Sequence, residues 1–244
     1  MGLAALLIAG MAVVAGLVAD AAQWQRAELE QLLAAGQRDL SKRDLQSVDL
    51  AGMSLRGVRL FAANLGGANL RGADLREANL DLAILRDADL RDADLRGARL
   101  FSTVLAGADL RRAKLQGASI MGNLSGADLR EADLRGIAAG ADMRNQPMGL
   151  VRAVFAQARL EGTDLTDADL SRADFSYAKL SGANLTRANL HAATLVGADL
   201  RGARLHQARL DEADLEAADL RGAEGLESAI GLEAARHRQR ARFD

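Results

Sequence analysis

The chain has 244 residues, and 31 Lys and Arg nearly balance 33 Asp and Glu, which excludes a polyanion or polycation as a whole-molecule design. Hydrophobic residues make up 49% but aromatics only 3%, so an ordinary aromatic-filled globule is excluded and a narrow Leu/Ala interior is favoured. With no Cys there is neither a disulfide framework nor a thiolate site, and any compartment is permitted.

Residues 1–22 open the chain with an uncharged stretch, Gly2 to Ala19, rich in Leu, Ala and Val. Its 18 residues are near the lower limit for a membrane span. Three readings stay open: a retained signal anchor, a signal peptide cleaved at Ala19-Asp20-Ala21, or a helix packed on the rest of the protein. Arg26 and Arg38 follow the stretch and no Lys or Arg precedes it, which places the remainder of an anchored chain in the cytoplasm. Residues 23–37 read as an amphipathic capping helix. Leu29, Leu32 and Leu33 share a stripe and Gly36 supplies the stop. Trp24 suits either a membrane-interface anchor or a contact with that cap.

From Leu40 to Leu220 a large apolar residue falls on almost every fifth position, as in Ala73-Asp74-Leu75-Arg76-Glu77 and Ala198-Asp199-Leu200-Arg201-Gly202. A period of five fits neither a helix nor a flat strand. In a short extended segment the central Leu and the Ala two before it share one side, while Asp, Asn, Arg and Ser point to the other. Gly57, Gly72, Gly97, Gly117, Gly182 and Gly202 take the fifth place, where a corner needs unusual dihedrals. These units resemble the pentapeptide repeat family. The resemblance implies an all-β solenoid, a right-handed quadrilateral β-helix over 38–224 with four pentapeptides per coil, an N-terminal apolar helix and short helical caps. Residue n then sits above residue n−20, with Leu and Ala inside.

In that arrangement Arg71, Arg91 and Arg111 form one outward ladder, and Arg56, Arg76 and Arg96 another. An anion-binding stripe and a solvated face of alternating Asp and Arg compete as readings. Phe61 and Phe101 share a second side, with Ile84 and Val104 beside them; outward apolar residues grouped in this way mark a candidate contact patch. Early units lack the inward Ala (Arg43, Val48, Met53, Val58), so wider or less regular first coils are expected.

The register breaks over 121–154. Leu124 arrives one residue early, and the text after Leu134 fits the template poorly. Met143, Arg144, Asn145, Pro147 and Met148 form a candidate loop, either a binding loop or a tolerated insertion. Phe155 to Leu220 is regular again. Lys and Arg minus Asp and Glu give 18 − 14 = +4 for 41–160 and 7 − 12 = −5 for 161–224, so the rod is electrically polar along its axis. Beyond Gly225 the repeat ends as read from the pattern. Residues 225–244 are assigned to a C-terminal cap and a basic tail, His237 to Arg242, either frayed or in contact with an anionic lipid or nucleic acid.

His191 and His206 fall on different sides of the rod, and no dinucleotide-binding, Walker or Ser-His-Asp arrangement is present. No cofactor, metal or catalytic residue is assigned, and no enzyme is expected. The leading expectation is a protein-interaction scaffold, a rigid rod tethered to a bacterial inner membrane through residues 2–19 with the repeat in the cytoplasm. Export after signal cleavage is the alternative location. The other function considered is a DNA mimic that binds a topoisomerase, which the resemblance to quinolone-resistance members implies; the Arg ladders argue against it. The expected partner is an unidentified protein. A homodimer through the C-terminal cap remains open, and direct nucleic-acid binding is not expected.

Overall fold

The computed structural model describes residues 24–141 and 152–244. The apolar segment 2–19 and the candidate loop Met143, Arg144, Asn145, Pro147 and Met148 lie outside the described residues.

The described chain coils into a four-faced solenoid in which each short extended pair bridges in parallel to the pair twenty residues on: Asp39 to Arg59, Asp44 to Asn64, Asp49 to Asn69, Ser54 to Asp74. These four rows define faces 1 to 4, and each pass from face 1 to face 4 is one layer. Layers begin at Asp39, Arg59, Asn79, Arg99, Ser119, Ala138, Asp169, Asn189, Arg209 and Ile230. The ladder is made of backbone bonds: Leu60 N–H donates to the Asn79 carbonyl above (2.8 Å), and Arg59 N–H donates to the Arg38 carbonyl below (2.8 Å).

Every pentapeptide is a two-residue side plus a turn. Ala63 N–H donates back to the Leu60 carbonyl (3.0 Å), and Ala62, the third residue of that turn, sits at φ +55°. A positive φ at that place is what a type II turn needs, and it explains the frequent Gly. The residue before each Leu has its own task. The Asp74 carboxylate accepts from the Arg76 backbone N–H (3.2 Å), and the Asn69 side chain does the same for Arg71 (3.2 Å). Asp or Asn at this position locks the corner with a local side-chain bond.

The interior is the Leu/Ala shaft read from the period. Leu40 through Leu220 and their Ala partners are essentially inaccessible. Phe155 and Phe175 take Leu positions one layer apart and stack with ring centres 4.8 Å apart. Their spacing matches that of hydrogen-bonded strands.

Three departures from the repeat are resolved. The side holding Met121, Gly122 and Asn123 is one residue short, so Val104 pairs with Asn123 across nineteen positions. Here alone among the described residues the pairing extends into continuous strands, β1 (Arg99–Val104) and β2 (Ser119–Asn123). Gly122 is required because a Cβ there would collide with the Thr103 carbonyl. Next, the repeat runs one unit past Leu134: Ile137 occupies the small inward position and Ala139 the large one, both buried. Exchanging large for small conserves volume, which cores tolerate. The extra eleven residues then enter between Ala139 and Phe155, since Asn123 bridges Val154 and Ala138 bridges Asp169. The early layers stay in bridging register, contrary to the irregularity expected there, because Val48, Met53 and Val58 fit inside and Arg43 turns out.

Helix α1 (Arg26–Ala34) is the lid expected over layer 1. Glu28 accepts from the Gln25 N–H (3.0 Å) to start it. At its end Gly36 at φ +84° lets Gly36 and Gln37 donate back to Leu33 and Leu32, a Schellman stop. Leu29 is buried, and Trp24, Leu32 and Leu33 pack on the core.

The C-terminus corrects the reading of a basic tail. Glu224, Ile230, Arg236 and Arg242 bridge Arg204, Arg209, Asp214 and Asp219, so a further coil is built with six-residue sides. Gly225-Leu226, Gly231-Leu232 and His237-Arg238 open its sides, each with a short 3₁₀ turn. Leu226, Leu232 and Phe243 fold over the shaft and close it.

Candidate interaction surface

The inward positions are the same on all four faces, so the faces differ only in what the bridging residue and the residue two after it carry outward. Face 3 carries paired charge. Arg91 places Nε and Nη2 on both oxygens of Asp89 (2.8 and 2.5 Å), and Arg111 and Arg130 repeat this on Asp109 and Asp128. Each guanidinium also approaches the carboxylate one layer up, Arg91 to Asp109 at 3.7 Å and Arg111 to Asp128 at 3.9 Å. Two-pronged Arg–carboxylate contact is the strong form of the ion pair. Arg91 and its own bond to Asp89 hold that carboxyl below the usual range, and Arg201 does the same to Asp199. At the end of the row Arg221 brings Asp219 down to about 2.

The predicted ladder of Arg71, Arg91 and Arg111 is therefore real as a stack. Arg71 lies 3.6 Å from Asp92, so all three guanidiniums are committed to carboxylates. The arrangement favours the solvated, self-neutralised face over an anion-binding stripe.

Face 2 is the opposite. Over layers 2 to 8 its residues two after the bridge run Gly66, Arg86, Ala106, Ser125, Ala156, Ser176 and Val196; its full bridging row holds Ile84, Val104 and Val154 in the middle, with acids at Asp44, Asp174 and Asp214. Ile84 is 42% exposed and Val104 half-buried. Around the corner on face 1, Phe101 is 41% exposed and Phe61 half-buried. The predicted patch of Phe61, Ile84, Phe101 and Val104 is thus brought together along one edge.

Asp81 stacks between the two Phe, yet it is almost inaccessible. Its oxygens accept from Arg99 Nη2 (2.6 Å) and the Phe101 N–H (2.9 Å). The edge also holds residues the sequence reading missed: Leu82, 45% exposed at the corner, and Met121 on face 1. Leu82 was legible as a leucine in a corner slot that elsewhere takes Gly, Ala or a residue with a polar group. Where the short side pulls the corner in, a shallow open cavity of about 290 Å³ lies between Val104 and Val154, with Gly122 and Thr103 in its lining.

Histidines meet carboxylates near the C-terminal end. His191 Nδ1 lies 2.6 Å from Asp211, with Glu212 close, and His237 Nδ1 lies 2.8 Å from Asp214, with Glu216 beside it. Arg209 already holds Asp211, while Arg236 and Arg240 hold Asp214 and Glu216. His191, Arg236, His237 and Arg240 thus tie neighbouring layers of the last coils, two of them, His237 and Arg240, from the residues assigned to a tail.

Fold and surface define a repeat solenoid whose variable chemistry lies entirely on its outer faces. The chain belongs to the pentapeptide repeat family: the model for pentapeptide repeats matches residues 63–101, 93–136, 150–187 and 183–222, with 8 copies. Among solved structures it is similar to HetL, a pentapeptide repeat protein involved in heterocyst differentiation regulation in the cyanobacterium Nostoc sp. strain PCC 7120. The two are 33% identical, the match covers 90% of this chain and 95% of HetL, and the TM-score is 0.51. A pentapeptide repeat protein of the Arabidopsis thaliana thylakoid lumen is 34% identical, over 39% of this chain and 70% of its own, with a TM-score of 0.33. QnrB1, a plasmid-mediated fluoroquinolone resistance protein, is 17% identical over 81% of this chain and 90% of its own, with a TM-score of 0.39. No curated protein matches the chain.

Proposed function

We propose that this protein is a non-enzymatic interaction scaffold: a stiff rod, tethered to a bacterial membrane by residues 2–19 with the repeat in the cytoplasm, that presents flat faces to a protein partner. The observation that carries it is the surface. The shaft is filled by Leu and Ala, and the charged side chains of face 3 are spent on one another. What remains for a partner is broad and flat, which suits protein recognition better than enclosure of a small substrate. Regulation, the process in which HetL is involved, is compatible with such a scaffold.

A topoisomerase-binding DNA mimic needs a surface of uncompensated negative charge. The two-pronged Arg–Asp pairs of face 3 remove that property here. Fractionation of cells with a C-terminal tag, protease protection of the tag, and crosslinking in the membrane fraction test the proposal. The tag is expected with membranes, on the cytoplasmic side, with a protein crosslinked to it. Recovery in the soluble extract removes the tether, and protection of gyrase from a fluoroquinolone restores the mimic.

A further inference from the structure

Three of the exposed apolar side chains, Leu82, Ile84 and Phe101, stand within two layers on the edge between faces 1 and 2. Leu82 is the most informative. It occupies a corner at φ +61°, a left-handed position that bulky residues adopt at a cost, and it is 45% exposed. The fold does not ask for leucine there, because Ala62 and Ser102 hold the same corner in the layers on either side. Two unfavourable features at one position point to a use for the side chain.

Charge indicates what meets this edge. Its cations are Lys42, Arg43, Arg59, Arg86 and Arg99. Arg59 and Arg99 pair with Asp39 and Asp81. Lys42 and Arg86 have no carboxylate within 4.0 Å among the described residues, nor has Arg43, which covers the Trp24 ring, and the exposed acids beside them, Asp44 and Asp87, have no cation within that distance. The acid nearest the apolar cluster, Asp81, is buried beneath Arg99 and the Phe101 N–H. Five cations thus face four acids, one of them buried, and apolar side chains with this small excess of positive charge complement an anionic lipid surface. The course of the chain gives the second indication. Residues 1–23 lead to Trp24, and Trp24 lies under the Arg43 guanidinium (4.9 Å) at layer 1 of the same edge. In the sequence the apolar stretch of 18 residues ends at Ala19, five positions before Trp24.

We propose that this edge is a membrane-surface contact: the rod lies along an anionic bilayer with Leu82, Ile84 and Phe101 dipped among the headgroups and Lys42, Arg43 and Arg86 on lipid phosphates. The placement rests on the tether proposed above. The chain has no Cys, so single labels are unambiguous. A polarity-sensitive fluorophore is placed at Ser102→Cys, beside the cluster, or at Ser181→Cys on face 3, in the full-length protein. Each form is mixed with vesicles of phosphatidylcholine and phosphatidylglycerol carrying a brominated quencher lipid, and floated.

The Ser102 probe is expected to shift to the blue and to be quenched several-fold more than the Ser181 probe. The contrast should shrink in purely zwitterionic vesicles, and in a labelled variant that also carries Ile84→Ser and Phe101→Ser. Equal quenching of the two probes in protein that floats overturns the edge contact while leaving the tether intact. Protein that fails to float removes both. A Ser102 probe already shielded before vesicles are added means that a second copy or the chain itself covers the edge, which also overturns the proposal.

Discussion

Face 2 and face 3 share one backbone, one set of corners and one buried shaft, yet over layers 2 to 6 the bridging residues and those two after them carry one charge on face 2, Arg86, and a ladder of ion pairs on face 3. Ile84, Val104 and Val154 bridge on the first in the layers where Asp89, Asp109 and Arg159 bridge on the second. The difference teaches that this fold is specified by two positions in five, the Leu and the Ala before it. The remaining positions are open to function, apart from an Asp or Asn that locks a corner. A rod of this kind should therefore be fragile inside and permissive outside.

The largest expected effect is inside. Leu95→Ala removes a fully buried side chain from the middle of the stack and should destabilise the protein by about 2–5 kcal/mol in a urea titration. A loss under half a kilocalorie would mean that the shaft is not close-packed. Next comes the exchanged pair. Ala139→Leu alone overpacks against Ile137 and should cost about 1–3 kcal/mol, whereas the double variant Ile137→Ala/Ala139→Leu should recover most of that. Additive losses would contradict the volume exchange.

Smaller effects separate the two faces. On face 3 Asp89 and Asp199, each hydrogen-bonded by an Arg, titrate below their ordinary value, and Asp219 does so at about 2. A depressed folded-state pKa adds stability above the unfolded value of about 4, and that stability is lost as pH falls toward 2. The melting temperature should hold between pH 7 and 5 and drop below about pH 4, with a weaker drop in Arg91→Ala/Arg201→Ala. Ile84→Ser on face 2 should leave stability within about 0.5 kcal/mol and the acid profile unchanged.

The fold was legible because a five-residue period leaves few ways to bury one Leu and one Ala per unit. The patch of Phe61, Ile84, Phe101 and Val104 was legible because stacking every twenty residues follows from the same period. Other features were hidden for physical reasons. Ile137 and Ala139 disguise a repeat unit by trading sizes, so a search for Leu at the fifth place passes over it. The last coil escaped because its period is six and its apolar residues, Leu226 and Leu232, stand one place late. Leu82 escaped because attention to alternating positions ignores the corner. The Asp before each Leu looked like solvation, yet it bonds the backbone two residues on, a role that spacing does not reveal.

The central claim is one continuous stack, in register across the short side at Gly122 and the insertion before Phe155. Spin labels at Gln46→Cys and Val196→Cys, both on face 2 and seven layers apart, measure it directly by double electron–electron resonance. Seven layers at about 4.8 Å predict one narrow distribution near 34 Å. A broad distribution, or a peak displaced by more than the reach of the labels, would contradict a single four-faced rod.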